Sequence, residues 1–455
     1  VSTNSIPDRE IFETGLTDGL IDEMSRINNL VVMSIASSQY LTAGLLESNQ
    51  LILDTAEEVD YFFSGTISKQ DTSIKIDLIL SKSIDGRPIF ENSYTTDISS
   101  IHSLWKNVAE ELAMEMGHSL NEAQALKPAG IRSVTPETIE LYLKGKYYLN
   151  RSTVEDWKRG IVYFEEAVNR NPADPHAYAG LAEAYITLGH SLNPPKDVFS
   201  KALAAAKRAI QLDSLNAEGW AALSHYHTYF GWDWALADLA YHKANDLNPN
   251  MAYNHYHRAW YLALFGRMDE AIEAHKRAQE IDPFSSMHTA WLGKLYLMVG
   301  EHEKAFDEVN RAAQKFDDNA LSLNVRAQIH LELGDEVAAL ADMKRAVEIN
   351  TGWKYLSYGE MLFNTGNAEE GMKIIQELEQ KEETAFFSLC LAQMYFSAKD
   401  YDTGFQWLEK AKGHAFFPWI RVLITDEKLL TDPRYLRLID ELGLPDPGPL
   451  NYSGA

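Results

Sequence analysis

The side chains that can hold a metal or move a proton in this 455-residue chain are 14 histidines, 66 carboxylates and one cysteine. The histidines cluster: His225, His227, His242, His255 and His257 fall within one short stretch. Two pairs are spaced by two residues, and on a helix such neighbours do not share a face. A metal needs convergent ligands, so at most one histidine of each pair can serve, and no metal site is expected. An ordinary imidazole titrates near pH ~6.5, which leaves a pH-responsive role open. Cys390 stands alone, which excludes an internal disulfide and a cysteine zinc site. Carboxylate pairs are too common here to mark a catalytic site. The sequence carries no G-x-S-x-G, P-loop, G-x-G-x-x-G or H-E-x-x-H pattern. We therefore expect no enzyme activity and no cofactor.

Hydrophobic residues are 45% and charged residues 24%, the balance of an ordinary folded protein. The 41 basic residues against 66 acidic ones give a net charge of −25. That surface repels phosphate backbones and anionic lipid, so nucleic acid is excluded as a partner of this segment. No apolar run reaches the ~18 residues that a bilayer requires. The chain opens at Val1 without a charged-then-apolar leader and reads as a fragment. Any membrane attachment is thus expected through a helix upstream. The length suggests about three domains, or one domain plus a repeat array.

The array is visible as columns of small residues. Gly266, Gly300 and Gly334 are spaced by 34, as are Ala271, Ala305 and Ala339, and Ala278, Ala312 and Ala346. Ala259, Gly293 and Ala327 form a fourth column. Small residues let paired helices approach closely, and a glycine at a helix end supplies the left-handed cap. The pattern resembles the tetratricopeptide repeat, in which each unit is an antiparallel helix pair. The register runs back through Ala237, Ala202 and Gly160 and forward through Gly371 and Gly404, with SLNPPKDV inserted in the second unit. We expect about eight units over 137–413. A capping segment at 414–445 follows, with Thr431 as the cap of a short helix that Gly443 ends, then a tail at 446–455.

Residues 1–127 do not follow the repeat, and 128–136 reads as a linker. IFETGLTDGLIDEMSRI has helical spacing, LVVMSIAS reads as a buried strand, and a short helix is expected around Leu51–Glu58. DYFFSGTISK, SIKIDLILSKS and IFENSYT read as strands, with Ile74, Ile76, Leu78 and Leu80 on one face, and a helix closes the module at Ser99–Gly117. The fold class expected is mostly α: a small α/β sandwich module followed by an α-solenoid. GLTDGLIDEMSRI with LVVMSIASSQY and VDYFFSGTI is similar to the TolB-like or FlgO-like module that often precedes tetratricopeptide arrays. ELYLKGKYYLNRSTVEDWKRGIVYFEEAVNRNP and LLTDPRYLRLIDELGLP resemble the same combined family.

That resemblance implies the sensory region of a CadC/ToxR-type membrane-inserted winged-helix transcriptional regulator, periplasmic and attached to the inner membrane; a cytoplasmic placement is the other option. Two further readings are the regulatory arm of an adenylate cyclase and a free-standing assembly scaffold. The same resemblance places an inner groove along the first helix of each pair. Carried onto this register, the groove takes Tyr142 and Lys146, then His176 and Glu183, then His225, Thr228 and Tyr229. Tyr253, Tyr256 and Trp260 follow, then Met287, Lys294, Asn324 and Gln328. Aromatic rings near a carboxylate suit a cationic or amphipathic ligand. The expected partner is a protein or a small molecule in this groove, and the sequence also allows a homodimer.

Overall fold

The computed structural model describes residues 6–27, 30–33, 59–70, 73–117, 135–150, 153–191, 194–195, 197–283, 285–315 and 319–445. The chain forms two compact units. The first comprises residues 1–188, 197–226 and 238–252, the second 189–196, 227–237 and 253–455.

The first unit begins with helix α1 (Ile6–Ser25). Three antiparallel strands follow in the order β1 (Tyr61–Gln70), β2 (Ser73–Lys82) and β3 (Pro88–Asp97). The alternation expected of β2 holds, with Ile74, Ile76, Leu78 and Leu80 buried and Lys75 turned outward. Helix α2 (Ile101–Glu115) packs against β3 and against α1. Of the expected strand LVVMSIAS, Leu30–Met33 is described and carries no strand; its remainder and the helix around Leu51–Glu58 lie outside the described residues.

The helix pairs of this unit start with α3 (Pro136–Leu149) and α4 (Val154–Arg170). Thr135 opens α3 with a reciprocal capping box to Thr138, and Pro136 fills the first helical position, where a missing N–H costs nothing. Then come α5 (Pro175–Gly189), α6 (Val198–Leu212), α7 (Ala217–Tyr226) and α8 (Trp234–Leu247), of which residues 234–237 are assigned to the second unit. Between α7 and α8 the backbone widens into a π-helical turn, His227–Gly231, and Trp232 takes φ +48°.

The second unit continues with α9 (Ala252–Leu264), α10 (Met268–Ile281), α11 (Ser286–Met298), α12 (His302–Lys315), α13 (Ala320–Glu332) and α14 (Glu336–Ile349). After another π-helical turn, Lys354–Tyr358, come α15 (Gly359–Asn364), α16 (Ala368–Glu379), α17 (Ala385–Ser397) and α18 (Tyr401–Lys410). The small-residue columns are the helix-pair contacts: Ala271, Ala305, Ala339, Ala278, Ala312 and Ala346 are fully buried. A Cβ on Gly293 would lie 2.9 Å from Val309 and 3.2 Å from the Ala305 carbonyl oxygen, so the column admits nothing larger there without movement. Gly266, Gly300 and Gly334 adopt φ of +72°, +77° and +81°. The amide after each donates to the carbonyl five residues back, closing the helix end as the spacing implied.

The described residues close with a 3-10 turn, Phe417–Trp419, then α19 (Ile420–Leu423), α20 (Glu427–Leu430) and α21 (Pro433–Glu441). The cap of α21 is Asp432, whose carboxylate accepts from the Arg434 amide; Thr431, expected in that role, instead ends α20. Two candidate caps stood side by side, and Pro433 settles the choice by starting the helix directly after Asp432. Tyr435, Leu438 and Ile439 of α21 bury against Leu389, Phe396 and Leu408 of the last helix pair. Trp234 donates from Nε1 to the Leu442 carbonyl at 2.6 Å, and Trp232 packs with Phe417, so both indoles are packing residues. Among the described residues, no helix is long and apolar enough to cross a membrane.

Candidate partner-binding faces

In the first unit, α1 packs along α3 and α2, and His176 of α5 and Glu218 of α7 line the space beside it. Leu16, Leu20, Ile21 and Met24 are buried. Gly15 and Gly19 make the approach close: a Cβ on Gly15 would sit 2.8 Å from Leu143 Cβ, and one on Gly19 3.0 Å from Trp105 Nε1. Ionic groups run along the same contact. Lys146 Nζ of α3 reaches Asp18 of α1 at 3.5 Å and Glu218 of α7 at 3.9 Å. His176 of α5 lies 3.6 Å from Glu218, and Arg26 pairs with Asp22 at 3.1 Å. Asn250 closes the end of the helix. Its amide Nδ2 donates to the carbonyls of Ser25 (2.8 Å) and Leu30 (2.7 Å).

These charges are taken out of water, and their proton affinities record it. Burial pushes the Asp18, Glu23 and Glu183 carboxyls above the usual carboxylate range, and Lys146 opposes this at Asp18 and Glu183. Burial also works against the Lys146 ammonium, but Asp18 and Glu183 outweigh it and hold the proton on. Burial acts against Glu218 as well, yet His176 and Lys146 keep that carboxyl below its ordinary value. The space left between α1, α2, α3 and the His176 and Glu218 side chains is about 20 Å³, room for roughly one water molecule. Of the residues expected in the groove here, Lys146, His176 and Glu183 share this ionic cluster. Tyr142 is buried edge-on to Phe164 (5.9 Å), and His225 is buried in α7.

In the second unit, Tyr229 and Trp260 are buried, 2% and 1% exposed. The Trp419 ring from the C-terminal segment lies 4.1 Å from Trp260 and stacks on Tyr229 at 6.2 Å. The Tyr229 hydroxyl is 2.7 Å from His257 Nδ1. These two rings are core. Tyr253 and Tyr256 stack at 6.1 Å and remain half-buried, as does Trp291, which meets Trp260 at 5.0 Å. Farther along, Lys294 donates to the Gln328 carbonyl oxygen, and Gln328 donates in turn to Asn324 at 2.9 Å. Burial lowers the Lys294 pKa and pushes Glu360 up to about 7, with Lys294 opposing at Glu360. Lys294 thus lies one helical turn after Trp291 on α11, beside the Gln328 and Asn324 amides. Among the described residues, no three His, Cys, Asp or Glu side chains converge on a metal position.

Sequence reasoning missed Asp18, Glu218 and the segment that brings Trp419. Glu218 was within reach: it lies one 34-residue period plus the eight-residue insertion beyond His176, and so repeats that helix position. Asp18 and Asp22, four apart beside the apolar face of α1, were a signal that this face meets a cation.

No family model matches the chain. It is 23% identical over 248 residues to the transcriptional regulator HilA of Salmonella typhimurium, covering 53% of this chain and 44% of HilA. It is 28% identical over 185 residues to anaphase-promoting complex subunit 3 of Schizosaccharomyces pombe, covering 40% of this chain and 26% of that one. The chain thus spans less than half the length of these curated relatives. A thermophilic TPR protein of Thermus thermophilus overlaps it with a TM-score of 0.36 and 21% identity, over 43% of this chain and 98% of its own. A monomeric mutant of IFIT1 with Gppp-AAAA overlaps with a TM-score of 0.49 and 14% identity, over 90% and 95%. The repeat geometry described above, and not these overlaps, carries the fold.

The buried charges set two expectations. Lys146→Ala strands Asp18 and Glu183 without their cation and destabilises the chain by about 3–5 kcal/mol in denaturant unfolding. Adding Asp18→Ala recovers part of that loss, with a coupling above about 1 kcal/mol; strictly additive effects contradict the pairing. For Glu360, the folded pKa of about 7 lies above its unfolded value of 4.5. Its contribution is therefore fully present below pH 4.5 and lost as pH rises through 7. Glu360→Gln should leave stability unchanged at pH 4 and raise it by about 1–2 kcal/mol at pH 8.5, after allowing for partial exposure. An equal effect at both pH values contradicts this.

Proposed function

We propose that this chain is the non-enzymatic, partner-binding region of a bacterial transcriptional regulator, and that its partners are proteins. The observation that carries the reading is α1 itself. The start of the array holds an α-helix: α3 packs along α1, Lys146 pairs with its Asp18, and Asn250, between α8 and α9, holds its carbonyl end. A surface built this way reads polypeptide. The one-water space beside Lys146 gives a small molecule no room. Tyr253, Tyr256, Trp291, Lys294 and Gln328 supply a second, half-buried contact surface of the amphipathic kind that protein interfaces favour.

The regulator assignment draws on the likeness to HilA over 53% of the chain. The TolB-like or FlgO-like reading of the N-terminal module, and with it the periplasmic placement, draws on the sequence resemblance. The net charge of −25 keeps this region itself off nucleic acid, so the output belongs to another part of the protein.

The test is transcriptional. In the source bacterium, deletion of the coding sequence should shift a defined set of transcripts. A Tyr253→Ala/Lys294→Glu replacement, made at the wild-type level, should shift the same set. A deletion that leaves the transcriptome unchanged contradicts the regulator reading. A replacement indistinguishable from wild type contradicts the role of the second surface.

A further inference from the structure

α1 does more than complete a core. Its apolar residues Leu16, Leu20, Ile21 and Met24 are buried, as core packing alone would require. Packing does not require a carboxylate on that face meeting a lysine, nor a buried asparagine at the helix end. Asp18 meets Lys146 at 3.5 Å, and the Arg26 guanidinium pairs with Asp22 at 3.1 Å. Asp18 and Arg26 are eight residues apart, about 12 Å along a helix. The receiving side carries complementary charges: the Lys146 ammonium of α3 meets the Asp18 carboxylate, and the Glu218 carboxylate of α7, 3.9 Å from that ammonium, also acts on the guanidinium. Asn250, 5% exposed, spends both amide hydrogens on carbonyls at and after the end of α1. A helix leaves its last carbonyls without internal partners, so such an amide recognises a helix terminus as such. The contact therefore has polarity, charge complementarity and an end stop, three features of a recognition site.

We propose that the groove of the first three helix pairs is a helix-binding site, that α1 is its resident occupant, and that a helix of another protein displaces α1 to bind there. The incoming helix carries an apolar face, a carboxylate on it and a guanidinium two turns nearer its C-terminus. This deepens the proposed function by naming the partner class for one of its surfaces. Because α1 is tethered to its site, it competes at an effective concentration that reaches the millimolar range for short tethers. A free helix of the same sequence binds the intact chain weakly for that reason. Loosening α1 without altering the groove should expose the site.

The probe is a fluorescent peptide of residues 6–31, titrated against the full chain. Two variants change only α1 and the residue that follows it. Asp18→Lys/Arg26→Glu reverses the charge order, and Gly15→Leu drives a side chain into Leu143, where even a Cβ sits at 2.8 Å. Each variant should bind the wild-type peptide at least tenfold more tightly than the wild-type chain does. A peptide with the reversed charges should bind none of the three. Peptide affinities unchanged in both variants overturn the proposal, as does equal binding of the reversed peptide. A variant that instead dimerises through exchanged α1 helices and ignores the peptide assigns the site to a second copy and overturns the partner chosen here. None of these outcomes bears on the transcript experiment, which rests on Tyr253 and Lys294, so the two readings fail separately.

Discussion

An ammonium taken out of water must find its carboxylates already in place, or the helix that carries it cannot hold its neighbours. Lys146 is that ammonium. It sits on the first helix of the array, and its partners come from α1, α5 and α7. Remove the cation and Asp18 and Glu183 repel each other in a site that burial already makes hostile to charge. The apolar face of α1 supplies the energy of docking, since each fully buried aliphatic side chain contributes about 1.5–3 kcal/mol. The ionic contacts set which way the helix lies and where it stops. Apolar burial alone would tolerate a shifted register; Lys146 and Asn250 do not.

Much of the array was legible because its physics is local and periodic. A residue in the alanine columns has one job, to let two backbones approach, and only small side chains do it; the columns at 34-residue spacing are fully buried as that argument demands. The glycines closing α9, α11 and α13 need a left-handed backbone, and the sequence shows them directly. The strand β2 announced itself by alternation. Where two local signals competed, as at Thr431 and Asp432, the reading missed by one residue.

The groove was less legible, because its content depends on segments distant in sequence. The register marked Lys146 and Glu183 as inward-facing. It did not show that α1 from more than a hundred residues earlier lies over Lys146. It marked Tyr229 and Trp260 as well, but an aromatic ring at an inward position looks the same in sequence whether solvent or another ring covers it. Trp419, far downstream, decides that question for both. Tyr253, Tyr256 and Lys294 keep partial exposure, and the site that remains there is smaller than the one the spacing suggested. The π-helical turn at His227–Gly231 was not signalled by any glycine or proline within it except its last residue.

Everything above requires α1 to be a docked, ion-paired helix in the full chain. Hydrogen exchange reads this directly. In proteins a helix draws most of its stability from tertiary packing, so the free peptide exchanges rapidly. Amides of α1 between Thr14 and Ser25 should exchange at least ~1,000-fold more slowly in the chain than in a free peptide of residues 6–31, and Lys146→Ala should remove most of that protection. Amides that exchange in the chain as fast as in the peptide would contradict the account.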